Sequence, residues 1–91
     1  MSGVELIKKE REKQITKYGY DAKHDLGYKD NQLVYAALSY LACSIDGKNG
    51  QYFTNWPFDV KYFKNEGKMD CLKKAGAFIA AELDRMQEEA L

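Results

Sequence analysis

The residues whose type and placement could do chemistry are few, and they fall in three places. The only histidine, His24, stands directly before Asp25 in the stretch YDAKHDLGY. Such a pair serves either as a hydrogen-bonded structural element or as a site in which Asp25 holds a metal and His24 contacts phosphate. Arg11 and Gln14 interrupt the apolar stripe of a first helical segment, and Glu82 borders that of a last one. A carboxylate on a buried face costs several kcal/mol unless it is paired or binds a cation. Two readings follow: an Arg11–Glu82 ion pair that fixes helix register, or a carboxylate on a metal-binding face between helices. The third place is WPFDVKYFK, where aromatics alternate with lysines. It could stack a base and hold phosphates, or close a hydrophobic core as a lid or subunit contact. The chain has no Gly-rich phosphate loop, no GxSxG, no HExxH and no Cys/His pair with metal-ligand spacing.

Three helical segments must position these groups. The first spans Ser2 to Lys17, with Ser2 and Glu5 spaced as a capping box. Val4, Ile7, Arg11, Gln14, Ile15 and Tyr18 share its face at 100° per residue. The second spans Asp30 to Ile45, capped by Asp30 or Asn31 and ended near Gly47. Its face is Leu33, Ala36, Ala37, Tyr40, Leu41 and Ser44. The third spans Lys68 to Glu89, with Leu72, Ala75, Gly76, Ile79, Leu83 and Met86 as its core stripe. Gly76 signals a close approach by a neighbouring element, because glycine inside a helix costs about 1 kcal/mol against alanine. A short helix over Phe58–Phe63, with Asp59 in its first turn, is the one element expected between the last two segments. The stretch around His24 and Asp25 is expected to be loop.

Composition sets the class. The chain is 91 residues with 14 basic and 14 acidic side chains, hence zero formal charge. It forms one domain over 1–91, too small for a second core. Zero charge argues against a nucleic-acid binder led by phosphate contacts. No apolar run reaches the roughly 20 residues of a membrane span, and no apolar leader follows the N-terminus. The expectation is a cytoplasmic protein whose two cysteines, Cys43 and Cys71, stay reduced. A small core, zero charge and many aromatics also lead us to expect a homo-oligomer built by helix packing.

Four blocks together carry a family resemblance: KEREKQITKYGYDAKHD, QLVYAALSYL, WPFD and LKKAGAFIAAELDRM. From about Glu10 to Arg85 the chain resembles small phage and bacterial proteins related to the dATP/dGTP diphosphohydrolase N-terminal domain. These group with the MazG-like, all-α nucleoside triphosphate pyrophosphohydrolases. The resemblance implies an all-α bundle of three main helices, usually assembled as dimers or tetramers. It implies Mg²⁺-dependent release of pyrophosphate from a nucleoside triphosphate, with acidic side chains from two helices holding the metal. Carried over by position, Glu82 is the principal metal ligand and catalytic carboxylate. Asp25, Asp70 or Gln32 complete the shell, Arg11 and Lys74 contact phosphate or serve as ion-pair partners, His24 contacts phosphate, and Trp56 flanks the base. The chain departs from the family at Gln32, where Glu is usual, and at Cys71, where Asp or Asn is usual; Asp25, Asp70 and Glu10 are the carboxylates that could make up the lost charge. The alternative to the enzyme is a non-catalytic helical oligomer that keeps the fold for binding or structure.

Overall fold

The computed structural model describes residues 1–46 and 56–91. Four α-helices appear in the order α1 (Gly3–Tyr18), α2 (Ala22–Asp25), α3 (Gln32–Asp46) and α4 (Lys68–Glu89), with a 3₁₀ turn at Val60–Tyr62 before α4. The described residues contain no strand, so the fold is a small all-α bundle. No described helix is long and apolar enough to cross a membrane. α4 is the central element, and the other three helices all pack on it.

The ends of α1 follow from its sequence. Ser2 Oγ accepts the Glu5 N–H at 3.1 Å, and the Glu5 carboxylate returns to the Ser2 N–H, closing the expected capping box. Gly19 ends the helix at φ 74°, a left-handed conformation that glycine adopts without a Cβ penalty. α2 was not expected. Asp21 makes it by accepting the His24 N–H at 2.9 Å, which turns YDAKHD from loop into a single capped turn. α3 begins beside Asn31, whose carbonyl accepts the Tyr35 N–H at 2.9 Å. The expected end of that helix at Gly47 lies outside the described residues. The short helix predicted over Phe58–Phe63 is a shorter 3₁₀ turn, with Asp59 as its cap rather than in its first turn.

The core is built from small side chains. Cys43 and Tyr40 of α3 meet Cys71 and Ala75 of α4 in one cluster, with Phe63 and Phe78 stacked on the Tyr40 ring, and Ala36, Ala37, Ala77 and Ala81 are the other buried small side chains of the two helices. Gly76 answers to the expectation of a close approach. A Cβ there would lie 2.7 Å from Cδ1 of Ile7 and 2.8 Å from its Cγ1, so α1 sits directly on the glycine.

Two predicted faces are corrected. On α4, Leu72, Ile79, Leu83 and Met86 are exposed, and the inward row is Cys71, Ala75, Ala77, Ala81 and Arg85. On α1, Val4, Ile15 and Tyr18 are exposed while Glu10, Arg11 and Gln14 are buried; on α3, Leu41 is exposed. The physical reason is the same in both main cases. Close helix approach selects small residues and paired polar ones for the inner faces, and it leaves the larger apolar side chains outside. Cys43 and Cys71 form no disulfide, and the fold brings them together in the core cluster. Burial, with the Cys43 thiol beside it, pushes the Cys71 thiol up to about 11.

Two predictions follow from this packing. Gly76→Ala should destabilise the protein by about 1 kcal/mol, the overpacking against Ile7 outweighing the gain in helix propensity. In an Ile7→Ala background the same change should stabilise it, as read from denaturant midpoints; a stabilising effect in both backgrounds would show that α1 does not rest on Gly76. The native thiols should react with a thiol reagent at pH 8 on the order of a hundredfold more slowly than in denaturant, because both are buried. Equal rates in the two states would contradict that burial.

Candidate functional site

The described residues line a cavity of about 540 Å³. That is within the range of small-molecule sites. It lies where α1, α2, α3, α4 and the segment around the 3₁₀ turn converge. Its walls are aromatic. Tyr28 packs on Phe58 with ring centres 5.2 Å apart, Phe58 meets the edge of Trp56 at 5.4 Å, and Trp56 meets the edge of Tyr40 at 5.4 Å. Tyr20 and Tyr62 also line it. Local hydrogen bonds set these rings. Trp56 Nε1–H donates to the Asp59 carbonyl at 2.9 Å, which folds the Trp-Pro-Phe-Asp segment back on itself. The Lys64 N–H donates to the Tyr40 hydroxyl at 3.0 Å and anchors the approach to α4.

Asp25 is the principal polar group of the cavity. It is only 2% exposed, yet it lines the space. His24 Nδ1 lies 2.9 Å from its Oδ1, and the imidazole is held between Tyr20 and Tyr28 at ring distances of 5.0 and 5.8 Å. Burial pushes the Asp25 carboxyl above the ordinary carboxylate range, and the His24 contact and the Arg11 charge pull it back only in part. The same burial, with Asp25 nearby, raises the Tyr28 phenol. Glu10, buried on α1, puts a second carboxylate on the same wall, with Lys13 Nζ 3.9 Å from its Oε2. On the opposite wall Lys74 Nζ sits 2.8 Å from Asp70 Oδ2, 3.5 Å from Glu66 Oε1 and 5.5 Å from the centre of the Tyr40 ring. Burial alone would lower its pKa; the bond to Asp70 and the Tyr40 and Glu66 groups reverse that, so Lys74 is held firmly cationic.

The cavity therefore gathers three of the predicted residues, Asp25, Lys74 and Trp56, with His24 directly behind Asp25. Arg11 is set behind the wall. Its Nε donates to Asp84 Oδ2 at 3.0 Å, and its Nη1 donates to the Gln14 side chain at 3.1 Å and to the Tyr20 carbonyl at 2.8 Å. The Arg11–Glu82 pair is thus not formed. Arg11 pairs with Asp84, and Glu82 takes Arg85, three residues along α4, at 2.6 Å. Arg85 also reaches Glu89, and these carboxylates, Glu82 foremost, hold it cationic.

Of the four residues assigned to a metal, Asp25 lines the cavity, whereas Glu82, Asp70 and Gln32 do not fit a metal as they stand. Both oxygens of Glu82 face the Arg85 guanidinium. Asp70 is tied to Lys73 and Lys74. Gln32 is neutral, and its Oε1 accepts the Asp30 N–H at 2.8 Å. None of the three lines the cavity. No group of three or more His, Cys, Asp or Glu suited to a metal occurs among the described residues. Cys71 is sealed in the core, with Asn65 Oδ1 accepting from its thiol at 3.5 Å.

Sequence reasoning passed over Tyr28 as a cavity group. Phe58 and Tyr62 belong to the stretch read as able to stack a base, and Glu10 to the carboxylates that could make up the charge of the site. Their convergence on one cavity is not legible, because it depends on how separate loops fold back on α4.

Glu82→Gln tests the pairing directly. With Arg85 as the partner, the substitution should lower the denaturant midpoint by the same amount with and without Mg²⁺. A wild-type midpoint that rises with Mg²⁺, and a mutant that has lost that rise, would instead place a metal on Glu82. No family model, curated protein or solved structure matches this chain.

Proposed function

We propose that this chain is a nucleotide-binding module, and that a nucleoside triphosphate enters the aromatic cavity base first. The observation that carries the reading is the buried carboxylate of Asp25 facing a space walled by Tyr28, Phe58, Trp56 and Tyr40. A flat heterocycle suits such walls, since stacking a base on an aromatic side chain contributes roughly 1–3 kcal/mol. Asp25 can accept an N–H from the ring edge, which fixes orientation where water is excluded. Lys13, Lys64 and Lys74 lie on the same lining and suit a phosphate tail. The resemblance to the MazG-like group agrees in ligand class. We propose binding rather than hydrolysis because three of the four residues assigned to Mg²⁺, Glu82, Asp70 and Gln32, are committed to Arg85, Lys73, Lys74 and the Asp30 amide.

The second reading, metal-assisted release of pyrophosphate, is favoured by one observation: Glu10 and Asp25 put two carboxylates on one cavity. One set of measurements separates the two. Trp56 is the only tryptophan, so its fluorescence reports the cavity wall. Titration with nucleoside triphosphates should change it saturably, while inorganic triphosphate should not. Asp25→Asn should weaken binding about tenfold, the equivalent of one hydrogen bond to a charged group. No saturable change with any base would refute the proposal. Pyrophosphate release that requires Mg²⁺ and is lost in Glu10→Gln would establish the second reading in its place.

A further inference from the structure

We propose that the α1–α2 end of the cavity selects a nucleotide whose base carries a fixed positive charge, as alkylation of a ring nitrogen gives, over one with a neutral base. The inference rests on the nucleotide reading of the cavity and adds the charge of the base. It is carried by the sign of the charges at the two ends of the lining and by the rings that connect them.

At the α1–α2 end the buried charges on the lining are carboxylates. Asp25 is 2% exposed and Glu10 8%. Asp25 Oδ1 meets His24 Nδ1 at 2.9 Å, and Oδ2 has no hydrogen-bond partner among the described residues. The Arg11 guanidinium acts on Asp25 from behind the wall, where it is paired with Asp84. Lys13 reaches Glu10 at 3.9 Å, but nearly half of its side chain is in solvent, which screens its charge.

The rings add to the same sign. An aromatic face is the negative side of a quadrupole, so it attracts cations, and more strongly where water is excluded. From His24 the rings run through Tyr28, Phe58 and Trp56 to Tyr40 without a break. A neutral base stacks on such rings, yet it leaves the Asp25 charge with no more than a neutral N–H to meet it. A cationic base answers the carboxylate and the rings together. Its N–H donors also make charge-assisted bonds, which are roughly twice as strong as neutral ones.

The far end has the opposite sign. Lys64 and Lys74 line it, and Lys74 Nζ lies 5.5 Å from the centre of the Tyr40 ring, held cationic by Asp70. A ligand with a cation at one end and phosphates at the other fits this arrangement, whereas a small quaternary ammonium ion would not reach the lysines. The zero formal charge of the chain gives no general attraction for a polynucleotide, so the ligand is a free nucleotide rather than the modified end of an RNA.

Calorimetric titration of the whole chain tests this with three ligands. They are 7-methylguanosine triphosphate, guanosine triphosphate and the uncharged 7-methyl-7-deaza analogue, in mildly acidic buffer where the alkylated ring keeps its N1 proton. The cation should bind at least about tenfold more tightly than either of the others. The deaza analogue has the methyl group without the charge, so a preference that it shares is steric and overturns the proposal. Asp25→Asn keeps the shape and removes the charge, and should cut the preference to about threefold or less; an undiminished preference would overturn the role of Asp25. The comparison of ligands on the wild-type protein decides the question even where that variant does not fold. A 5′-capped oligonucleotide should bind no more tightly than the free cation, and tighter binding would overturn the assignment to a free nucleotide. Equal affinity for all three nucleotides overturns the charge preference and leaves the nucleotide reading standing. Binding of none of them overturns both.

Discussion

One buried guanidinium connects the parts of this fold. Arg11 is on α1, but its three hydrogen-bond partners are on α1, on α4 and in the turn that leads to α2. The bond to the Tyr20 carbonyl matters most for the site. It holds the chain just after the left-handed Gly19, and from there Asp21 caps α2 and brings His24 and Asp25 to the cavity. Burying a charge is costly unless its donors are satisfied. Once Arg11 is inside, Asp84, Gln14 and the Tyr20 carbonyl have to come to it. An uncharged side chain could fill the same space without imposing that geometry.

The rest of the architecture accommodates that constraint. α1 approaches α4 closely enough to rest Ile7 on Gly76, and the buried apolar positions of α4 are Cys71 and three alanines. Small inner residues leave little apolar area to bury within one chain, and at this size folding margins are thin in any case. The larger apolar side chains are on the outside in two seams of regular spacing. The aromatics instead gather at the opening between helices, where they enclose a space and leave it unfilled. The chain thus has a narrow core, a roomy cavity and large apolar side chains on its exterior.

How much of this the sequence carries depends on the range of the interaction. The capping box at Ser2, the limits of α4, the Gly76 approach and the all-α class are local signals or follow from a 3.6-residue period, and they are legible. The direction of a helix face is not. Periodicity detects that Leu72, Ile79, Leu83 and Met86 share a side of α4, but it cannot say whether the chain or a partner covers them. Ion pairing has the same ambiguity. Arg11 was legible as an inward residue, yet Glu82 and Asp84 are two places apart on α4 and only the packed helices decide between them. At the site, Asp25, Lys74 and Trp56 were legible by type. The cavity that unites them with Tyr28, Phe58 and Glu10 was not, because it depends on contacts between segments far apart in the chain.

The most direct test of the role given to Arg11 is amide hydrogen exchange of Arg11→Met against the wild type. If the guanidinium holds the Tyr20 turn and α2 in place, protection at Tyr20, Asp25 and Tyr28, whose amides donate to Gln14, Asp21 and Asp25, should fall at least about tenfold, the equivalent of 1.4 kcal/mol. Protection in the α3–α4 core around Tyr40 and Ala75 should fall much less. A uniform loss across the whole chain, or unchanged protection at Tyr20, Asp25 and Tyr28, would contradict the account.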